Sequence, residues 1–400
     1  MQTNLAPKFQ QGRHAEAIET ILRKCVHCGF CNATCPTYQI RGDELDGPRG
    51  RIYQMKQFFE GEPANPEMLK HLDRCLTCHA CETTCPSGVK YTHLLEIGKT
   101  SIERELPRPW WDRARRWGIV RFINSGWLFA LAVKIGQTFV PILPAKLRAS
   151  VPARQTPVDR INAQHSRKVL MLGGCVQPTL APNTNARASN LLNKFGIEVI
   201  ELPENLCCGA AALHTSEPEY GMRQVKRLID SWWPHIEAGA EAIVVTATGC
   251  GVTVKDYEHL LADDADYVAK AKKVSLLYRD LTELVEAEIE AMDPVEMPAK
   301  RVAVHTPCSM QHGLGITNRV ETLLAKAGYE ICAVAEGHLC CGSSGTYSML
   351  QPVLGTQLRT NKIRALSINQ PDIIATANIG CQMHLAQDNN LPVVHWIELL

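Results

Sequence analysis

The chain has 400 residues, 45% of them hydrophobic and 21% charged, the balance of a soluble globular protein long enough for two or three domains. Its 42 basic and 41 acidic residues nearly cancel to +1, so no global charge favours nucleic acid, and none is expected as a partner. Charge is informative only locally, whereas 17 cysteines invite a chemical reading.

Residues 1–24 are mixed polar and charged, with His14, Glu16, Glu19, Arg23 and Lys24, and read as no secretory segment. A cytoplasmic address, where thiols stay reduced and free for metal, is expected. The string Cys25-Val-His-Cys28-Gly-Phe-Cys31-Asn-Ala-Thr-Cys35-Pro36 follows, and it returns as Cys75-Leu-Thr-Cys78-His-Ala-Cys81-Glu-Thr-Thr-Cys85-Pro86. This is the two-cluster ferredoxin pattern, in which CxxCxxC winds around a cubane and the last cysteine of each string ligates the other string's cluster. The expected ligand sets for two 4Fe-4S clusters are Cys25, Cys28, Cys31 and Cys85, then Cys35, Cys75, Cys78 and Cys81. Zinc is the weaker reading, because structural zinc sites join separated cysteine pairs and three cysteines at this spacing overload a tetrahedron.

Between the strings lies the turn-rich loop Gly42–Arg51, acidic then basic, which reads equally well as a solvated connection or a docking element. A helix is expected through Ile52, Met55 and Phe59, and another over Tyr91–Arg104. A helical two-cluster domain is therefore expected over 1–107. Residues 108–164 read as a basic amphipathic linker: Arg108, Arg113, Arg115, Arg116, Arg121, Lys134, Lys146 and Arg148 face only Asp112, among four tryptophans. Leu128, Leu131, Ile135 and Phe139 make a helical stripe, and the apolar run Gly126–Val133 is too short to span a bilayer. Such a stretch suits the surface of an anionic membrane or, equally, packing on the protein's own core or a partner subunit.

The remainder repeats itself. RKVLMLGGC at 167–175 matches KRVAVHTPC at 300–308, and LCCG at 206–209 matches LCCG at 339–342, both offset by 133. TGC at 248–250 matches IGC at 379–381 with an offset of 131. Strands over Val169–Leu172, Ile197–Leu202 and Ala242–Thr246 alternate with helices over Asn185–Phe195 and Glu219–Glu237, which predicts parallel α/β units at 165–260 and 300–400, joined by a helical connector at 261–299. Cys175, Cys207, Cys208 and Cys250 would converge in one crevice, and Cys308, Cys340, Cys341 and Cys381 in the other, as a further iron-sulfur centre, a redox thiol set or buried small hydrophobes. Adjacent Cys207 and Cys208 should diverge, and Gly209 should relieve crowding where backbone approaches a ligand. His305, His312, His338 and His384 lie near these cysteines, as ligands, proton carriers or ordinary histidines. No nucleotide, flavin, GxSxG or HExxH motif is present.

Twin ferredoxin strings before two Cys…Cys-Cys-Gly…Gly-Cys repeats resemble the iron-sulfur subunit of bacterial glycolate oxidase across essentially the full chain. GDELDGPRGRIY at 42–53, HLDRCLTC at 71–78 and TANIGCQ at 376–382 carry the resemblance in detail. It implies an α+β multidomain chain with a ferredoxin-like head and two cysteine-rich α/β domains. It also implies glycolate oxidation to glyoxylate on flavin (FAD) partner subunits, with electrons relayed to a membrane acceptor such as quinone at the cytoplasmic face of the inner membrane. No dehydrogenase activity is expected from the chain alone. The iron-sulfur subunits of lactate or glycerol-3-phosphate dehydrogenases are alternatives, as is a thiol or heterodisulfide reductase, and so is a scaffold with redox-silent structural metal. Heterodisulfide enzymes end each repeat in CxxC, whereas Ala247 and Asn378 stand three positions before Cys250 and Cys381 here.

Overall fold

The computed structural model describes residues 1–11, 14–144, 148, 151–161, 163–202, 206–289, 300–387 and 389–400. The head is helical. Helices Ala15–Lys24, Pro48–Phe59, Pro66–Asp73 and Tyr91–Glu105 bury Ile18, Leu22, Met55, Phe58, Phe59, Leu72, Leu94 and Ile102 in one core, each such side chain contributing about 1.5–3 kcal/mol when fully buried. Their ends are written locally: Pro48 opens its helix at a position needing no N–H, and Asn65 caps the next by accepting from Met68 N at 3.0 Å. Gly98 lets two helices touch, since a Cβ there would fall 2.5 Å from Met55 Sδ.

The expected linker at 108–164 begins as part of that head. Helix Trp110–Asn124 is fastened to it by Arg108 and Arg116, which hold Asp73 at 2.7 Å and 3.0 Å. Burial alone would push Asp73 up, but Lys99, Arg108 and Arg116 hold its carboxyl well below the usual range.

Two four-stranded parallel sheets follow. The first comprises β1 (Arg167–Leu172), β2 (Ile197–Glu201), β3 (Ala242–Val245) and β4 (Tyr278–Asp280), in the order β2-β1-β3-β4. The second comprises β5 (Arg301–His305), β6 (Glu330–Cys332), β7 (Ile373–Thr376) and β8 (Val393–His395), in the matching order β6-β5-β7-β8. Val169 aligns with Val199 and Ala242, and Val302 with Ile331 and Ile373. One strand per repeat escapes the sequence reading, and β4 lies inside the expected helical connector at 261–299. Tyr-Arg-Asp has no apolar run, and an edge strand paired only to β3 needs none. Helices Val268–Leu277 and Leu281–Glu288 flank it, while residues 290–299 lie outside the described residues.

Both faces of each sheet are covered, which makes the central strands apolar throughout. Val169, Met171 and Val244 share one core with Val302, Val304 and Ala375, to which helices contribute Leu192, Val285 and Leu324, so a single core joins the repeats. Leu170, Leu172, Ile243 and Val245 pack instead under helix Pro218–Glu237 through Val225, Leu228, Ile229 and Trp232. At the carboxyl ends of β3 and β7 the repeats exchange hydrogen bonds, from Gly249 N to Asn378 Oδ1 at 3.1 Å and between His395 Nε2 and Thr246 O at 2.8 Å.

Candidate iron-sulfur sites

Each CxxCxxC loop turns on two left-handed residues at matching places, His27 (φ 56°) and Gly29 (φ 85°) in the first, Thr77 (φ 48°) and His79 (φ 58°) in the second. Three of the four carry side chains, a backbone choice that persists only where the surroundings fix it and that clusters at functional sites. The turns curl the loops around two neighbouring hollows. Cys25, Cys28, Cys31 and Cys85 line one with Ile52 and Val89, and Cys35, Cys75 and Cys78 line the other with Arg51 and Leu76. Cys81, Pro48 and Tyr91 line both. All 17 thiols are free. Burial first, then the neighbouring Cys25, pushes the Cys31 thiol up to about 11, and burial likewise holds Cys78 and Cys81 well above the usual thiol range. Soft sulfur donors crowded out of water suit a cation that keeps them as thiolates, and an all-thiolate set suits iron-sulfur clusters.

The Gly42–Arg51 loop is not a merely solvated connection, for Asp46, Gly50 and Arg51 are buried. It folds inward and supports the second hollow. Asp46 is fully buried, accepting from Arg74 Nη1 at 2.9 Å and lying 2.8 Å from His71 Nδ1. Arg51, 1% exposed, donates to His71 O at 2.8 Å and Thr37 Oγ1 at 3.1 Å, and its Nη1 stands 4.0 Å from Cys35 Sγ. Glu44 grips Arg49 through two contacts of 2.6 and 3.0 Å and takes Asn32 Nδ2 at 2.9 Å. The guanidiniums of Arg49 and Arg51 thereby each border one thiol hollow. Gly50 makes the fold-back feasible, because a Cβ there would lie 2.0 Å from Glu44 O.

In the repeats, Cys175 follows β1 and Cys250 follows β3, the two strands flanking the point where strand order reverses; Cys207 and Cys208 arrive from the segment after β2. The second repeat places Cys308, Cys381, Cys340 and Cys341 in the same way. Open α/β sheets seat ligands at this point. Cys175 and Cys250 pack against the core cluster that holds Cys207 and Cys208, and in the second repeat Cys308 Sγ lies 3.7 Å from Cys340 Sγ while Cys341 and Cys381 share a neighbouring cluster. Cys207 and Cys208 are both buried there, 2% exposed each. Gly209 relieves crowding against a helix: its φ is +88°, and a Cβ would lie 2.9 Å from Gly221 O. Gly342 repeats this at +89° against Gly355 O.

The histidines separate. His305 ends β5 with a ring nitrogen within 4.8 Å of the Cys341 and Cys381 sulfurs. His312 bridges Thr83 and His338 O at 2.9 Å each, and His384 lies 3.1 Å from Gly355 O. The second repeat also carries the head: Ser344 Oγ donates to Leu76 O at 2.6 Å, Tyr347 OH to Arg74 O at 3.1 Å, and Cys78 packs beside Cys308 against Cys340.

The basic stretch is less free than its composition implies. Arg108 and Arg116 point inward, Arg121 lies 3.5 Å over the Tyr220 ring, and Arg115 donates to Met349 O. Lys146 lies outside the described residues. Helix Trp127–Phe139 does not pack on the protein's own core, for it buries no residue, and Trp127 is 73% exposed beside exposed Leu131, Ile135 and Phe139. Among the described residues no single helix is long and apolar enough to cross a membrane, and Trp110–Asn124 and Trp127–Ile142 meet at 86°.

A chain that gathers thiols around paired hollows on a helical head and again at the switch points of two sheets is an iron-sulfur protein of the electron-transferring class. Residues 21–89 match the 4Fe-4S dicluster domain family, and 169–255 and 302–386 match the cysteine-rich domain family. The chain is similar to the glycolate oxidase iron-sulfur subunit of Escherichia coli, at 47% identity over 100% of this chain and 98% of that one. A probable glycolate oxidase iron-sulfur subunit of Bacillus subtilis shares 30% identity over 91% of this chain and 88% of its own length. Lactate utilization protein A of Bacillus velezensis shares 27% over 58% of this chain and 98% of its own. The chain belongs to the glycolate oxidase iron-sulfur subunit family.

Proposed function

We propose that the chain relays electrons within a glycolate oxidase, receiving them from flavin-bearing partner subunits that oxidise glycolate to glyoxylate and passing them toward a membrane acceptor, quinone by preference. The observation that carries this reading is the pair of thiol hollows with Cys81 and Tyr91 lining both. Cys25, Cys28, Cys31 and Cys85 hold one 4Fe-4S cluster and Cys35, Cys75, Cys78 and Cys81 the other, and the bound clusters supply the one-electron steps that a two-electron flavin requires. The chain's own groups fix the thiols, keep them from water and set two guanidiniums beside the sulfur. The repeat cysteines hold further iron. The exposed helix Trp127–Phe139 makes the peripheral contact, on the cytoplasmic face of the inner membrane.

Ligand exchange is tested in the purified complex. Cys85→Ser should damage the cluster of the first string and Cys35→Ser that of the second, read by electron paramagnetic resonance after reduction. An unchanged first-string signal in Cys85→Ser refutes the exchange. The isolated chain should oxidise none of glycolate, lactate or glycerol 3-phosphate, and adding its flavin partner should restore the glycolate reaction above the other two.

A further inference from the structure

The two repeats match cysteine for cysteine, but they differ at one buried position. His305 ends β5 where the register of the first repeat places Leu172 at the end of β1. Leu172 is an ordinary core residue. His305 is 1% exposed, and neither ring nitrogen has a hydrogen-bond partner. A buried imidazole without partners loses its hydration uncompensated, and three other histidines of this repeat avoid that loss: His312, His384 and His395 each lie within hydrogen-bond distance of a carbonyl. The unpartnered ring instead stands in a group with Cys341 and Cys381, all three buried, with donor atoms within 4.8 Å of one another.

We propose that the second repeat, and not the first, closes a mixed imidazole-thiolate iron centre with His305 as a ligand beside Cys341 and Cys381. This rests on the reading that the repeat cysteines hold iron, and it goes further by naming a nitrogen ligand and assigning it to one repeat alone. The set suits iron, because imidazole and thiolate are both transition-metal ligands and Cys308 and Cys340, the next thiols of the chain, pack against Cys78 of the second head hollow. Asn378 supports the set from the position where heterodisulfide enzymes carry another cysteine, its Nδ2 lying 3.4 Å from Cys381 Sγ. Exchanging a thiolate for a neutral imidazole removes negative charge and makes a centre easier to reduce. The second repeat is thereby the electron-accepting member of the pair, next to the head.

The test uses the full chain, purified anaerobically after growth on 15N-histidine. Iron should exceed the about eight atoms of two cubanes, and pulsed electron paramagnetic resonance should show a directly coordinated histidine nitrogen that His305→Leu abolishes, with part of the excess iron lost and the head cubane signals intact. Excess iron retained in full by His305→Leu, zinc in place of the excess, or eight irons with no nitrogen coupling would each overturn the proposal. Should His305→Leu fail to fold, the unsubstituted protein decides: coordinated histidine nitrogen supports the site and its absence refutes it. Failure of the relay reading is separate, since it would appear as missing head cubane signals.

Discussion

Arg51 and Asp46 form a buried charged pair 3.8 Å apart, tied to His71, Arg74 and Thr37. Removing one member of such a set leaves an uncompensated charge and costs about 3–5 kcal/mol. Arg51→Met leaves Asp46 held by Arg74 at 2.9 Å, so it should lower the unfolding free energy by less, about 1–3 kcal/mol for its lost buried hydrogen bonds, and weaken the second-string cluster signal, while Arg49→Met, on the more exposed Glu44 pair, should cost about 1 kcal/mol or less. Denaturant unfolding of the anaerobic protein checks both. The cysteines that line the two hollows were legible because metal geometry forces a fixed spacing on neighbouring residues. The Asp46 network was not, for its members come from residues 37, 46, 51, 71 and 74, and a loop reads as polar whether its charges face water or each other. His305 was legible as one of four candidate histidines, but only the fold singles it out by bringing it to Cys341 and Cys381, 36 and 76 residues away.

At the scale of elements, the Cys-Cys-Gly turns depend on a left-handed glycine wedged against a helix. Gly342→Ala would place a methyl 2.7 Å from Leu358 Cβ and 2.8 Å from Gly355 O. It should cost about 2–4 kcal/mol through backbone strain and overpacking. Gly315→Ala, also left-handed at φ +73° but with open space around it, should cost about 1–2 kcal/mol. The exposed helix Trp127–Phe139 has a separate test in binding to anionic liposomes. Leu131→Ser with Phe139→Ser should weaken it at any salt, and Arg113→Glu with Lys134→Glu should weaken it only at low salt. Unaltered binding in both, with loss of flavin-subunit copurification, would make the helix a subunit interface. Apolar periodicity disclosed the helix and the central strands; β4 and β8, three-residue edges, lacked enough residues to show a period.

The molecule as a whole is held together by docking contacts between the head and both repeats. On the side of the first repeat, His93 stacks on His259 at 3.6 Å and lies 3.5 Å from Asp256. Glu96, on the same helix, is pushed up to about 7 by burial and then by Asp256, with His93 and His79 opposing. A carboxyl raised on folding binds more protons folded than unfolded, so its contribution to stability falls as pH rises from about 4.5 to about 7 and is level beyond. Glu96→Gln should flatten that slope, stabilising the protein by about 1 kcal/mol at pH 8 relative to pH 5, once partial solvent access is allowed for. Thermal unfolding across this range checks it, and an unchanged slope would place the titration elsewhere.

On the other side, the contacts of Leu76 with Ser344, Arg74 with Tyr347 and Thr83 with His312 join residues 268, 273 and 229 positions apart. A ribosome makes the head long before it makes the surface that covers it. Until about residue 350 has emerged, the Cys78 side of the second hollow faces water and dissolved oxygen. A pause or truncation anywhere between the strings and the second repeat would therefore leave a loaded cluster uncovered, and the cell's safest moment for inserting iron is after the last domain has closed.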